Sequence, residues 1–105
     1  MYRYQILIEY IGTSFVGWQI QKKGRSIQKI VQSTLSKLLK QKIVIYGSGR
    51  TDSGVHALGQ SAHFDIKNKI QNKDKIVKSL NFFLNPKKIS IINIIKRNKN
   101  FHARY

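Results

Sequence analysis

Arg50 and Asp52 stand two residues apart inside the run Gly47-Ser48-Gly49-Arg50-Thr51-Asp52-Ser53-Gly54-Val55-His56-Ala57. Three of the seven glycines in the chain fall within eight residues here, and glycine permits positive φ and close approach of other groups. If the segment is extended, side chains at i and i+2 project to one side, so a guanidinium would lie beside a carboxylate on a constrained loop. A neighbouring cation keeps a carboxylate ionised, and an ionised carboxylate can act as nucleophile or base. The chain has only four acidic residues, and Asp52 is one of them. A plainer reading stands beside this: Thr-Asp-Ser-Gly is good turn chemistry, because Asp and Ser bond nearby backbone and Gly supplies positive φ.

Other chemistries fit the residues less well. A dinucleotide-binding G-x-G-x-x-G run needs glycine where Asp52 stands, and no G-K-[ST] follows. A Ser-His-Asp set drawn from Ser53, His56 and Asp52 is too local in sequence to reach triad geometry. A glycosidase needs two carboxylates across the scissile bond, and nothing in the sequence brings Asp65 or Glu9 to Asp52. His56, His63 and His102 lack metal-ligand spacing, and the chain has no cysteine, so neither a metal nor another cofactor is expected.

Taken whole, the run closely resembles the active-site signature of TruA-type tRNA pseudouridine synthases, Gly-Ala-Gly-Arg-Thr-Asp-Ala-Gly-Val-His-Ala, with Ser48 and Ser53 in place of alanines. A second stretch is similar to the family pattern Tyr-Asp-Gly-Thr-x-Phe-x-Gly-Trp-Gln-x-Gln. It matches at Tyr10, Gly12, Thr13, Phe15, Gly17, Trp18, Gln19 and Gln21, and departs at Ile11, where the family usually has aspartate. Leu58-Gly59-Gln60 and His63-Phe64 continue the likeness. The resemblance implies that Asp52 is the catalytic residue. It implies a substrate- and RNA-binding set of Arg50, Thr51, Ser53, His56, Trp18 and Gln19. His56 is better suited to ordering the loop by hydrogen bonding than to the chemistry itself. Phe15 and Trp18 can equally be read as anchors pinning their loop to the core.

The reaction so implied is isomerisation of uridine to pseudouridine in the anticodon stem-loop of tRNA, by a cytoplasmic homodimer without a cofactor. Family members are more than twice as long, so the chain is expected to be an N-terminal half and inactive by itself. A flipped base needs a preorganised, water-excluded cleft, and one sheet with helices on one side leaves its other face open. Tyr105 matches a position within the family's Phe-His-Ala-Arg segment rather than its base-stacking tyrosine. A non-catalytic RNA-binding module is the competing class, although the aromatic strand signature of RNA-recognition domains is absent.

Charge agrees with an RNA partner. Twenty Lys and Arg face four acids, a net charge of +16, which favours polyanions and salt-sensitive association. The region from Lys67 to Lys99 holds ten basic residues and one acid, Asp74, and is expected to form a basic face. Ile, Lys and Asn are all abundant, so compositional bias is the alternative source of some of these lysines. No apolar run approaches the roughly 20 residues a membrane-spanning helix needs, and no membrane partner is expected.

One domain over residues 1–105 must position these groups. Tyr2 to Tyr10 alternates as a strand, with Tyr2, Tyr4, Ile6, Ile8 and Tyr10 on one face and Arg3, Gln5, Leu7 and Glu9 on the other. Ser26 is an N-cap for a helix whose apolar face is Ile27, Ile30, Val31, Leu35, Leu38 and Leu39. Ile43 to Tyr46 reads as a short strand entering the signature loop, and Gly59 to Ile66 as the strand leaving it. Asn72 or Asp74 caps a second helix, with Ile76, Val77, Leu80, Phe83 and Leu84 inward and Pro86 ending it. Ile89 to Ile95 is a last strand, apolar on both faces, which reads as needing further cover. The order predicts an α+β, ferredoxin-like β-α-β-β-α-β antiparallel sheet with two helices on one face, half of a pseudouridine synthase fold. Its first and third strands should be central.

Overall fold

The computed structural model describes residues 1–10, 26–47 and 57–102, with the side chains of residues 57–59 left aside. Strand β1 (Tyr2–Tyr10) is followed by helix α1 (Ile27–Leu39), strands β2 (Tyr46–Gly47) and β3 (Ala57–Ile66), helix α2 (Lys73–Leu84) and strand β4 (Ile89–Arg97). The strands form one four-stranded sheet in the order β2-β3-β1-β4, antiparallel at every pairing. The first and third strands are central, as the order of elements predicts.

The alternation in β1 becomes a two-sided strand. Tyr4, Ile6, Ile8 and Tyr10 are buried, and they join Ala62, Phe64 and Ile66 of β3 and Ile89, Ile91 and Ile94 of β4 in one core. Both helices cover that face, through Ile27, Val31 and Leu35 of α1 and Leu80 and Leu84 of α2. Tyr4 stacks on Phe64 at 5.8 Å between ring centroids, and its buried hydroxyl accepts the Ile70 N–H at 2.9 Å. That bond meets the cost of placing a polar atom in the core.

Both helix starts are side-chain capped. Ser26 Oγ accepts the Lys29 N–H, and Asn72 Oδ1, rather than Asp74, accepts the Lys75 N–H. A single 3-10 turn, Asn85–Lys87, with Pro86 in its first positions, ends α2.

Three expectations need correction. Residues 43–45 are not a strand: α1 side chains take their backbone groups. Ser36 Oγ accepts the Ile43 N–H at 3.0 Å, Gln32 Oε1 accepts the Ile45 N–H at 3.1 Å, and Gln28 Nε2 donates to the Ile45 carbonyl at 2.7 Å. Strand β2 therefore starts only at Tyr46, and β3 begins at Ala57, two residues before Gly59. Phe83 is not core. It is 51% exposed, edge-on to Phe82 at 5.1 Å, because Leu80 and Leu84 hold the inward stripe and Phe83 sits to one side, over a groove with Thr34, Lys37, Leu38 and Lys87. In β4, Leu7 pairs with Asn93 and Ile8 with Ile91, so Ile92 has no partner across the ladder. This bulge turns Ile89, Ile91 and Ile94 all inward and leaves Ile92 half exposed, which accounts for isoleucine on both faces.

Candidate active site

Strand register fixes where the two signature stretches leave the fold. Tyr10, the last residue of β1, lies opposite Ala57, the first of β3, and opposite Ile89, the first of β4. Residues 11–25 therefore depart from the same end of the sheet at which residues 48–56 return. The second stretch departs from Gly47, which pairs with Ala62 of β3. Of the residues singled out in the sequence, Trp18, Gln19, Arg50, Thr51, Asp52, Ser53 and His56 lie outside the described residues, while the strand ends that hold their segments lie within them. Gly47 is positioned through residues 43–45, and hence by Gln28, Gln32 and Ser36 of α1.

The helix-free face of the sheet carries a polar and aromatic cluster that sequence reasoning did not single out. Arg3 forms a two-pronged pair with Asp65, Nε to Oδ1 at 2.8 Å and Nη2 to Oδ2 at 2.9 Å. Its Nη1 also donates to the carbonyls of Lys99 at 3.0 Å and Phe101 at 2.6 Å. The segment after β4 is thereby folded back over this face. Gln5 donates to Ser61 Oγ at 2.8 Å and accepts from Arg97 Nε at 2.9 Å. His63, only 2% exposed, stacks on Tyr46 at 5.2 Å and meets His102 at 4.6 Å and Phe101 at 6.4 Å edge-on. The available signal was the alternation itself, which puts Arg3 and Gln5 on the face opposite Tyr4 and Ile6.

Electrostatics in this cluster follow from those contacts. The hydrogen bonds from Arg3 hold the Asp65 carboxyl below the usual carboxylate range, against a smaller opposing effect of burial, and they raise Arg3 in return. Burial pushes the His63 imidazole down, helped by the charge of Arg3 and by His102 and partly offset by Asp65. Packing against Tyr46, Phe101 and His102 thus disfavours the charged form of His63. Among the described residues no group of three or more His, Asp or Glu could hold a metal ion, and no helix is long and apolar enough to cross a membrane.

A family model described as tRNA pseudouridine synthase matches residues 6–105. The chain belongs to the tRNA pseudouridine synthase family. Among curated proteins it is 66% identical over 105 residues to tRNA pseudouridine synthase A of Pelagibacter ubique (strain HTCC1062), covering 100% of this chain and 43% of that protein. It is 41% identical over 106 residues to tRNA pseudouridine synthase A of Anaplasma phagocytophilum (strain HZ), covering 98% of this chain and 42% of that protein. The chain thus spans less than half the length of these two relatives. The synthase family match takes in the whole of β2, the signature stretch and β3. The four-stranded sheet with both helices on one face is consistent with half of a pseudouridine synthase fold.

Proposed function

We propose that this chain is the part of a tRNA pseudouridine synthase that carries the catalytic aspartate, Asp52. The whole protein then isomerises uridine to pseudouridine in the anticodon stem-loop of tRNA. The observation that carries the reading is the family match across residues 6–105, which includes Asp52 within its signature. The return of residues 48–56 into Ala57, opposite the Tyr10 from which residues 11–25 leave, supports it.

In this reading the uracil detaches at N1 from C1′ of the ribose, turns, and rejoins C1′ through C5. The hydrogen on C5 is lost and N1 ends protonated, so the atoms balance without an external reagent. The Asp52 carboxylate acts as nucleophile or base at the sugar–base unit, and Arg50 keeps it ionised. The target base must first leave its stack, at a cost of a few kcal/mol. Arg50 fills the gap or holds a phosphate, with Thr51, Ser53, His56, Trp18 and Gln19 lining the substrate. Homodimerisation and a cytoplasmic location belong to the same reading, by family resemblance.

Asp52→Asn nearly preserves shape while removing the charge. In the full-length protein it is expected to abolish pseudouridine formation and leave tRNA binding largely intact. Turnover by that variant near the parent rate would refute the assignment.

A further inference from the structure

The basic residues between Lys67 and Lys99 do not form one face. Lys69 and Lys75 flank a groove between α1 and the loop before α2, and Lys87 lies by α1. Lys67, Lys96, Arg97 and Lys99 instead gather at the end of the sheet where β1 begins, around an open groove of about 710 Å³ that also touches Tyr2 and Arg3. All four are exposed. Among the described residues the one ion pair is Arg3–Asp65, so none of these four cations is ion-paired.

Two of the four cations are held in place, and the backbone of a third is. Lys96 Nζ lies over the Tyr2 ring at 5.7 Å from its centroid. The Arg97 guanidinium lies over Phe101 at 5.3 Å and donates to Gln5. Lys99 belongs to a turn closed by the Phe101 N–H on the Asn98 carbonyl at 2.9 Å and tied to the sheet by Arg3. A cation already ordered by the fold loses less entropy on binding than a free lysine does. The cluster sits at the opposite end of β1 from Tyr10 and Ala57, where residues 11–25 leave the sheet and residues 48–56 return to it. The eight steps from Tyr2 to Tyr10, at roughly 3.4 Å each, place it about 27 Å from Tyr10.

We propose that Lys67, Lys96, Arg97 and Lys99 form a phosphate-backbone anchor that grips the substrate RNA remote from the reacting uridine. This rests on the reading of the chain as part of a tRNA-modifying enzyme. Phosphodiester oxygens suit the cluster because it offers four exposed cations, none ion-paired among the described residues. The anchor sets affinity and register rather than sequence.

The test is the triple substitution Lys67→Gln, Lys96→Gln, Lys99→Gln in the full-length protein, beside a control triple, Lys29→Gln, Lys37→Gln, Lys42→Gln. Arg97 is left in place because it also packs on Phe101. Each lost phosphate contact lowers the slope of log affinity against log salt by roughly 0.7–0.9. The first triple is therefore expected to reduce the slope for tRNA by roughly 2–3 and to raise KM for tRNA about tenfold at low salt, with little change from the control. Equal losses in both triples would reduce the effect to net charge and overturn the anchor, and so would an unchanged slope. Loss of binding to anionic lipid vesicles with tRNA binding intact would overturn it in favour of a membrane contact. A parent protein that forms no pseudouridine, yet shows the slope change confined to the first triple, would sink the enzymatic reading and leave the anchor standing.

Discussion

At the scale of residues, the Arg3–Asp65 pair and His63 give the helix-free face a defined response to acid. Asp65 is depressed by its bonds to Arg3, and His63 is depressed by burial. Both groups bind fewer protons folded than unfolded, so both remove stability as pH falls. The two limbs are separate. The His63 limb starts as pH drops below its ordinary value of 6.5, and the Asp65 limb starts below the carboxylate value of 3.8. Urea melts of the full-length protein between pH 7.5 and 3 are expected to show both. His63→Phe keeps a ring against Tyr46 and should erase only the first limb, whereas Asp65→Asn should erase only the second. Asp65 is partly exposed, so its loss should cost no more than about 1 kcal/mol at neutral pH. A melt midpoint that stays flat from pH 7.5 to 5 in the parent would contradict this account.

At the scale of elements, helix side chains close the backbone of strand-like segments on both sides of the sheet. Ser36, Gln32 and Gln28 do so at Ile43 and Ile45. Asn81 does so at β4, accepting the Ile91 N–H at 2.7 Å and donating to the Ile91 carbonyl at 3.0 Å. A strand at the margin of a sheet otherwise offers unpaired N–H and C=O groups to other chains. Asn81→Ala leaves both Ile91 groups without their partner, and Ile91 itself is only 3% exposed. The substitution is expected to cost about 1–3 kcal/mol in denaturant melts and to raise aggregation on heating. A change within about 0.5 kcal/mol would mean that water replaces the amide. This pairing also marks what the sequence could tell and what it could not. The caps at Ser26 and Asn72 were legible because each acts within three residues of itself. Residues 43–45 read as a strand because apolar alternation is the same whether the backbone meets a strand or a glutamine from a helix. The bulge at Ile92 carries no glycine or proline to announce it. The signature loop was legible as a string of residue types, but string matching says nothing of the Arg3 clamp, whose partners lie 62 to 98 residues away in sequence.

At the scale of the whole molecule, the helices cover one face of the sheet and leave the other to Arg3, Gln5, His63 and the returning segment at 98–102. A catalytic carboxylate works best in a cleft that excludes water, and the described residues supply no second wall over that face. Residues 1–105 alone are accordingly expected to bind tRNA weakly and to form no pseudouridine in it, whereas a longer protein that includes the second half is expected to bind tRNA and convert it. Mapping pseudouridine in tRNA after incubation with each protein checks this, and conversion by residues 1–105 would refute it.

The place of β1 at the centre of the sheet has a consequence in time. Tyr2 pairs with Ile66, and Arg3 pairs with Arg97. A ribosome adding about 5–20 residues per second makes β1 first and then needs roughly 5–20 s to deliver β4. Until β3 emerges β1 has neither neighbour, and until β4 emerges it has only one. Contacts so distant in sequence also slow closure once the chain is complete. The nascent protein is therefore at its most vulnerable before Ile89 to Arg97 has emerged. Chaperone capture should peak on ribosomes stalled between β3 and β4, and fall once β4 clears the exit tunnel.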